Sequence, residues 1–237
     1  MPYWIGTSGY SYPEWKGSFY PEKLPAAKML PYYAERFSTV EINATFYRLP
    51  TARLLAGWAA QTPDLFAFTL KAPRRITHDS RLQRCEEVLQ VFLDAAETLG
   101  PKLGVLLFQL PPSLKKDAGV LRAFLDLLPQ GRRAAFEFRH ASWHDDEVFE
   151  ALRSRNLALC VADSEKMSTP VVATADYGYF RLRDEGYQDA DIAQWAKTIA
   201  GLAPRWKDTF VYFKHEEEGK GPDFANRLKE RLGLPFK

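Results

Sequence analysis

Apolar residues alternate with charged or amide residues in five short stretches of the chain. They are Val40-Glu41-Ile42-Asn43, Phe68-Thr69-Leu70-Lys71, Leu106-Leu107-Phe108-Gln109, Phe136-Glu137-Phe138-Arg139 and Phe180-Arg181-Leu182-Arg183. Successive side chains of a strand point to opposite faces, so the alternation predicts strands, each with polar groups at its C-terminal end. Glu41 with Asn43, Glu137 with Arg139, and Arg181 with Arg183 then share a face, about 7 Å apart. Eight strands are predicted in all, near 3–6, 39–47, 65–72, 103–110, 133–140, 158–163, 177–183 and 209–214. Between most of them apolar residues recur at helical spacing: Val88, Phe92, Ala95 and Leu99; Leu121, Phe124, Leu125 and Leu128; Phe224, Leu228 and Leu232. Asp117, Asp145, Asp146 and Pro222 mark helix starts.

Strand–helix alternation sustained along the chain predicts parallel pairing, and eight units in 237 residues fit a closed TIM (β/α)8 barrel, a single α/β domain over 1–237. Residues 164–176 are too few and too interrupted by proline for a full helix, so an incomplete helical ring is expected after strand six. The one long irregular connection, 7–25, carries Tyr10, Tyr12, Trp15, Phe19 and Tyr20. In a barrel this loop lies at the C-terminal face, where it would either wall a ligand pocket or pack as a lid that closes the barrel.

The quoted segments resemble the YecE-like family, also called domain of unknown function 72. The matching runs are Gly6-Thr7-Ser8-Gly9-Tyr10 with Tyr12, Trp15, Gly17 and Phe19-Tyr20-Pro21; Val40-Glu41-Ile42-Asn43 with Thr45-Phe46-Tyr47-Arg48-Leu49-Pro50; Lys71-Ala72-Pro73 with Thr77-His78; Phe108-Gln109-Leu110-Pro111-Pro112; and Glu137-Phe138-Arg139-His140 with Trp143. The resemblance implies a TIM barrel and carries no activity with it. It is weaker over Lys214–Pro222.

Composition changes the picture little. With 46% hydrophobic and 26% charged residues and a net charge of +2, the chain reads as an ordinary globular protein without a concentrated basic tract. Cys85 and Cys160 form neither a disulfide framework nor a metal-type spacing. No leader is read at the N-terminus and no window reaches the roughly 20 apolar residues of a membrane span, so a cytoplasmic protein is expected.

The inward parity collects Glu41, Asn43, Lys71, Gln109, Glu137, Arg139, Asp163, Arg181, Arg183 and Lys214 at one end of the barrel. Burying so many charges is costly, which favours a ligand site over a self-neutralising plug. Glu41 and Glu137, three strands apart, are candidates for acid and base, with Asp163 as a further carboxylate. Lys71, close to arginines, is a candidate base or imine-forming amine. Arg139, Arg181 and Arg183 suit a carboxylate or phosphate, supported by Asn43, Gln109 and Lys214, while Tyr10, Trp15 and Trp143 are candidates for ligand stacking. Gly219-Lys220-Gly221-Pro222 opens the last helix as a candidate phosphate cup, although Glu216, Glu217 and Glu218 precede it.

His78, His140, His144 and His215 show no metal-binding spacing, and no dinucleotide or P-loop fingerprint is present. No cofactor is expected; Mg2+ at Glu41, Glu137 or Asp163 is the one metal option the carboxylates leave open. Three readings follow. The first is an enzyme, a hydrolase, isomerase or lyase, acting on a small anionic or sugar-like substrate by carboxylate acid/base catalysis. The second is a nucleic-acid-binding or nucleic-acid-processing barrel. The third is a non-catalytic ligand-binding protein.

Overall fold

The computed structural model describes residues 3–164 and 168–235. Eight strands, β1 (Tyr3–Ser8), β2 (Thr39–Ile42), β3 (Ala67–Lys71), β4 (Leu103–Gln109), β5 (Ala134–Glu137), β6 (Ala158–Asp163), β7 (Tyr177–Leu182) and β8 (Asp208–Phe213), pair in parallel and in chain order. β8 returns to β1 and closes the barrel. Helix α1 (Met29–Ala34) precedes β2, and α2 (Ala44–Tyr47) and α3 (Ala52–Ala59) precede β3. Then α4 (Glu86–Glu97), α5 (Ala118–Asp126) and α6 (Asp146–Arg153) each connect one strand to the next, α7 (Asp189–Leu202) joins β7 to β8, and α8 (Lys220–Arg231) follows β8. Between β6 and β7 no helix occurs among the described residues.

The period-two rule divides every strand between two cores. One set, including Leu106, Phe108, Phe136, Phe180 and Val211, faces the helices and merges with their apolar stripes. The other set, Val105, Leu107, Ala135, Ala158, Cys160, Ala162, Tyr177, Tyr179, Phe210 and Tyr212, fills the barrel interior. Interior hydroxyls are paired within this layer: Tyr212 OH lies 2.7 Å from Thr39 Oγ1 and 2.8 Å from Thr69 Oγ1. The interior is thus packed solid below a polar upper layer, as expected of a barrel core rather than a pore.

Asp117 and Asp145 cap α5 and α6 as expected, accepting from the backbone N–H of Val120 at 2.9 Å and of Glu147 at 3.0 Å. α8 begins ahead of Pro222, at Lys220, behind a left-handed Gly219 with φ of 77°. The second strand is shorter than the predicted 39–47. After Ile42 the chain turns into α2, because the Thr45 hydroxyl bonds the carbonyls of Lys71 at 2.6 Å and Ile42 at 3.1 Å and ties the turn onto β3.

Candidate functional site at the barrel mouth

Register alone brings the chemistry together. Ser8 lies opposite Glu41 across β1 and β2, and Gln109 lies opposite Glu137 across β4 and β5. All four face inward at the C-terminal end of the barrel, and Arg181 reaches them from β7. Its Nε donates to both Glu41 oxygens at 3.0 Å, and its Nη2 donates to Glu41 Oε1 at 2.8 Å and to Ser8 Oγ at 3.3 Å. Its Nη1 donates to Glu137 Oε2. Glu41 also accepts from the hydroxyls of Ser8 and Tyr179, and Asn43 Nδ2 donates to Ser8 Oγ at 2.7 Å. Glu137 Oε1 accepts from Arg139 Nε at 2.8 Å, and Arg183 Nη1 stands 3.7 Å from it.

Glu41, Glu137 and Arg181 are buried, so their charges survive only because they balance one another. Burial pushes the Glu137 carboxyl up, but Arg181, then Arg139 and Arg183, hold it well below the usual range. Burial likewise opposes charge on Arg181, and Glu137 and Glu41 override it and hold the guanidinium firmly protonated. Burial, then the Glu41 charge, keeps Tyr179 a neutral phenol that donates. Three guanidiniums stand against two carboxylates, a surplus of one positive charge before Lys71 is counted.

Lys71 ends β3 on the same inward parity. Its Nζ lies 4.1 Å from the centroid of the Phe46 ring, and no ion pair to a carboxylate is formed among the described residues. Burial, then the neighbouring Arg181, lowers its pKa to about 7. His78 packs edge-on against Phe46 at 4.9 Å; burial, then Lys71, lowers its pKa to about 4, so it is neutral when Lys71 titrates. Two buried polar atoms beside this cluster have no partner, Asn43 Oδ1 and Arg183 Nε.

A family model described as "Protein of unknown function DUF72" matches residues 4–237. The chain belongs to the DUF72 family. It is 26% identical over 261 residues to the UPF0759 protein YecE of Escherichia coli K12, covering 97% of this chain and 92% of that one. It is 25% identical over 272 residues to the UPF0759 protein YunF of Bacillus subtilis 168, covering 98% and 95%. Among solved structures, a DUF72 family protein from Thermotoga maritima superposes with a TM-score of 0.88 at 29% identity, covering 98% of this chain and 100% of that one. A DUF72 protein from Enterococcus faecalis, at 18% identity and a TM-score of 0.84, shares the fold.

Other expected site residues of this DUF72 chain are placed elsewhere. Asp163 does not join the mouth. Ala158, Cys160 and Ala162 fill the barrel interior, so Asp163 falls on the outer parity, where its Oδ2 accepts from Tyr187 OH at 2.7 Å and Trp195 Nε1 at 3.2 Å. There it lines a surface cleft of about 410 Å3 with Asp184 and Asp191. Trp143 is buried, stacked on Phe138 at 4.8 Å with its Nε1 donating to Leu114 O at 2.7 Å. It caps the core and offers a ligand no surface.

Trp15 is likewise buried, against Tyr12, Phe19 and Tyr20, and the loop packs as a lid beside α1, where Phe19 meets Tyr32, Tyr33 and Phe37. Tyr10 rests tilted on Tyr33 at 6.3 Å. Of the loop aromatics, Tyr12 comes nearest the charged cluster: left-handed Gly9, at φ of 94°, leaves room for its ring, and its hydroxyl donates to Ser8 O at 2.8 Å. Lys214 pairs with Glu216 at 3.3 Å in a separate cleft with Glu185, His215 and Lys220. Gln109 Nε2 bonds Leu110 O at 3.2 Å. Among the described residues, no group of three or more His, Cys, Asp or Glu side chains is placed to hold a metal ion. Glu41 and Glu137 spend their oxygens on Arg181 and its neighbours, which leaves them poorly suited to Mg2+. No helix is long and apolar enough to cross a membrane among the described residues.

Sequence reasoning missed Ser8 and Tyr179. Both carry a readable signal, since Ser8 ends β1 on the inward parity and Tyr179 precedes Arg181 by one inward step.

Proposed function

We propose that this DUF72 barrel is an enzyme that binds a small anionic metabolite at its C-terminal mouth, with Lys71 as the group that accepts a proton or attacks the substrate. Glu41 and Glu137 then have a positioning role: they fix Arg181 and set the field in which Lys71 sits. This differs from carboxylate acid/base catalysis, because Glu137, held well below the usual carboxylate range by its guanidiniums, is a poor proton acceptor, and the Glu41 oxygens are spent on Arg181, Ser8 and Tyr179. A single observation carries the reading. The cluster keeps an excess of positive charge, carried by the quarter-exposed Arg139 and Arg183, and Arg183 Nε, a buried donor, lacks an acceptor. A carboxylate or phosphate oxygen would supply both the charge and the acceptor. The nucleic-acid reading draws on the exposed Arg48, Arg74, Arg75, Arg81 and Arg84 in the connections after β2 and β3. Asp184, Glu185, Glu216, Glu217 and Glu218 follow β7 and β8, which breaks a continuous basic surface and disfavours a wrapped strand.

Calorimetric titration of phosphate, acetate, sugar phosphates and short oligonucleotides into the wild type and into Arg139→Gln/Arg183→Gln tests the reading. A small anion should bind the wild type at millimolar concentration or better and bind the double variant at least about tenfold more weakly. No binding by any small anion, or equal binding by both proteins, refutes it. Binding by oligonucleotides alone replaces it with the nucleic-acid reading.

A further inference from the structure

We propose that the Lys71 Nζ is a nucleophile that forms an imine with the carbonyl carbon of a small oxo acid, whose carboxylate is held by Arg139 and Arg183. The proposal rests on the anion-site reading above and names its substrate class. Three observations carry it. Lys71 closes β3 at the mouth and faces the Phe46 ring at 4.1 Å rather than a carboxylate, so its amine is not committed to an ion pair. The ring, backed by His78, covers one side of the amine and makes a cation–π contact with it while it is protonated. Guanidiniums of the same mouth keep unused donors: Arg139, which acts on the charge of Lys71, spends its Nε on Glu137, and Arg183 Nε is buried without a partner.

An amine attacks a carbonyl only through a free lone pair, so it must be neutral at working pH. The groups that face Lys71 are Arg181 on β7, Glu137 and Arg139 at the end of β5, Glu41 on β2 and His78 after β3. Burial and the Arg181 charge together outweigh the two glutamates and bring the amine to half-neutral at about pH 7. The step itself balances. The nitrogen lone pair forms a C–N bond as the carbonyl π pair moves to oxygen. A proton then passes from nitrogen to that oxygen, and the carbinolamine expels one water to leave the imine.

The test uses glyoxylate as the oxo acid and cyanoborohydride as the hydride donor, so that an imine is reduced to a stable carboxymethyl amine. Full-length protein is treated at pH 7 and the adduct at each lysine is followed by peptide mass spectrometry. Lys71 should be modified at least about tenfold faster than the exposed Lys207, because an ordinary lysine is neutral in under about one molecule in a thousand at that pH. Saturating acetate should slow the reaction at Lys71 and leave Lys207 unchanged. Modification of Lys71 no faster than Lys207, with glyoxylate binding intact by calorimetry, overturns the imine and leaves the anion site standing. Failure of both glyoxylate and acetate to bind overturns both readings. Fast modification that acetate does not slow overturns the assignment of Arg139 and Arg183 as the carboxylate holders.

Discussion

Replacing Arg181 with methionine tests the electrostatic core of the barrel most directly. The guanidinium makes three hydrogen bonds to Glu41 at 2.8–3.0 Å, one to Glu137 and one to Ser8, all buried. Without it Glu137 keeps Arg139 and Arg183, but Glu41 keeps only the neutral donors Ser8 and Tyr179. The damage is therefore close to one uncompensated buried charge, about 3–5 kcal/mol at pH 7. For a domain of this size that lowers the melting temperature by about 6–20 °C. Arg181→Met/Glu41→Gln removes the stranded charge along with its partner, and should recover about half of the loss or more.

The pH dependence gives a second check on the same variant. In the wild type Glu137 is held below the usual carboxylate range, so its contribution is present above about pH 4.5 and is lost as pH falls below it. In Arg181→Met Glu137 loses the cation that most lowers its pKa, so less acid-labile stability remains to be lost and the gap between the two proteins should narrow as pH falls below about 4.5. Thermal melts followed by circular dichroism across this range measure both effects. A variant that melts within about 2 °C of the wild type, or a double variant no better than the single one, would refute the balance of charges described above.

Two further substitutions separate mouth from scaffold. Lys71→Met should stabilise the fold by about 2–4 kcal/mol at pH 7, because a largely desolvated ammonium is costly. The wild type gains stability as pH rises from about 7 toward 10.5, where the unfolded chain also loses its proton; the variant should lack that rise in urea unfolding measured against pH. Asp163→Asn should cost about 1–3 kcal/mol by weakening the bonds from Tyr187 and Trp195. It should leave anion binding by calorimetry at the wild-type value; a loss of binding would place Asp163 in the site after all.

The barrel was legible because five of its strand ends show which parity is polar. Glu41, Lys71, Gln109, Glu137 and Arg181 could therefore be phased from local alternation. β6 is the exception: Ala158, Cys160 and Ala162 fill the narrow interior while Leu159 and Val161 face the helices, so both parities are apolar and the phase of Asp163 cannot be read. The aromatic loop posed a different problem. Trp15 and Trp143 carry the same chemistry whether they stack on a ligand or on Tyr20 and Phe138, and only their burial decides between these. Lys71 was readable as a cation near arginines, but the overlong second strand hid Phe46, whose turn places its ring against the amine.

The central ion cluster also bears on the order in which the chain folds. Glu41 and Arg181 are 140 residues apart, Ser8 and Arg181 are 173 apart, and the Trp4 to Asp208 bond at the opposite pole spans 204. Contacts at such separation carry a high loop-closure cost and form late. During synthesis Glu41 is made long before its cation, and until β7 emerges a collapsed N-terminal half would bury a carboxylate unopposed. That penalty falls on premature compaction and is lifted when the barrel closes, so the same charges that shape the mouth act as a kinetic check against half-barrels.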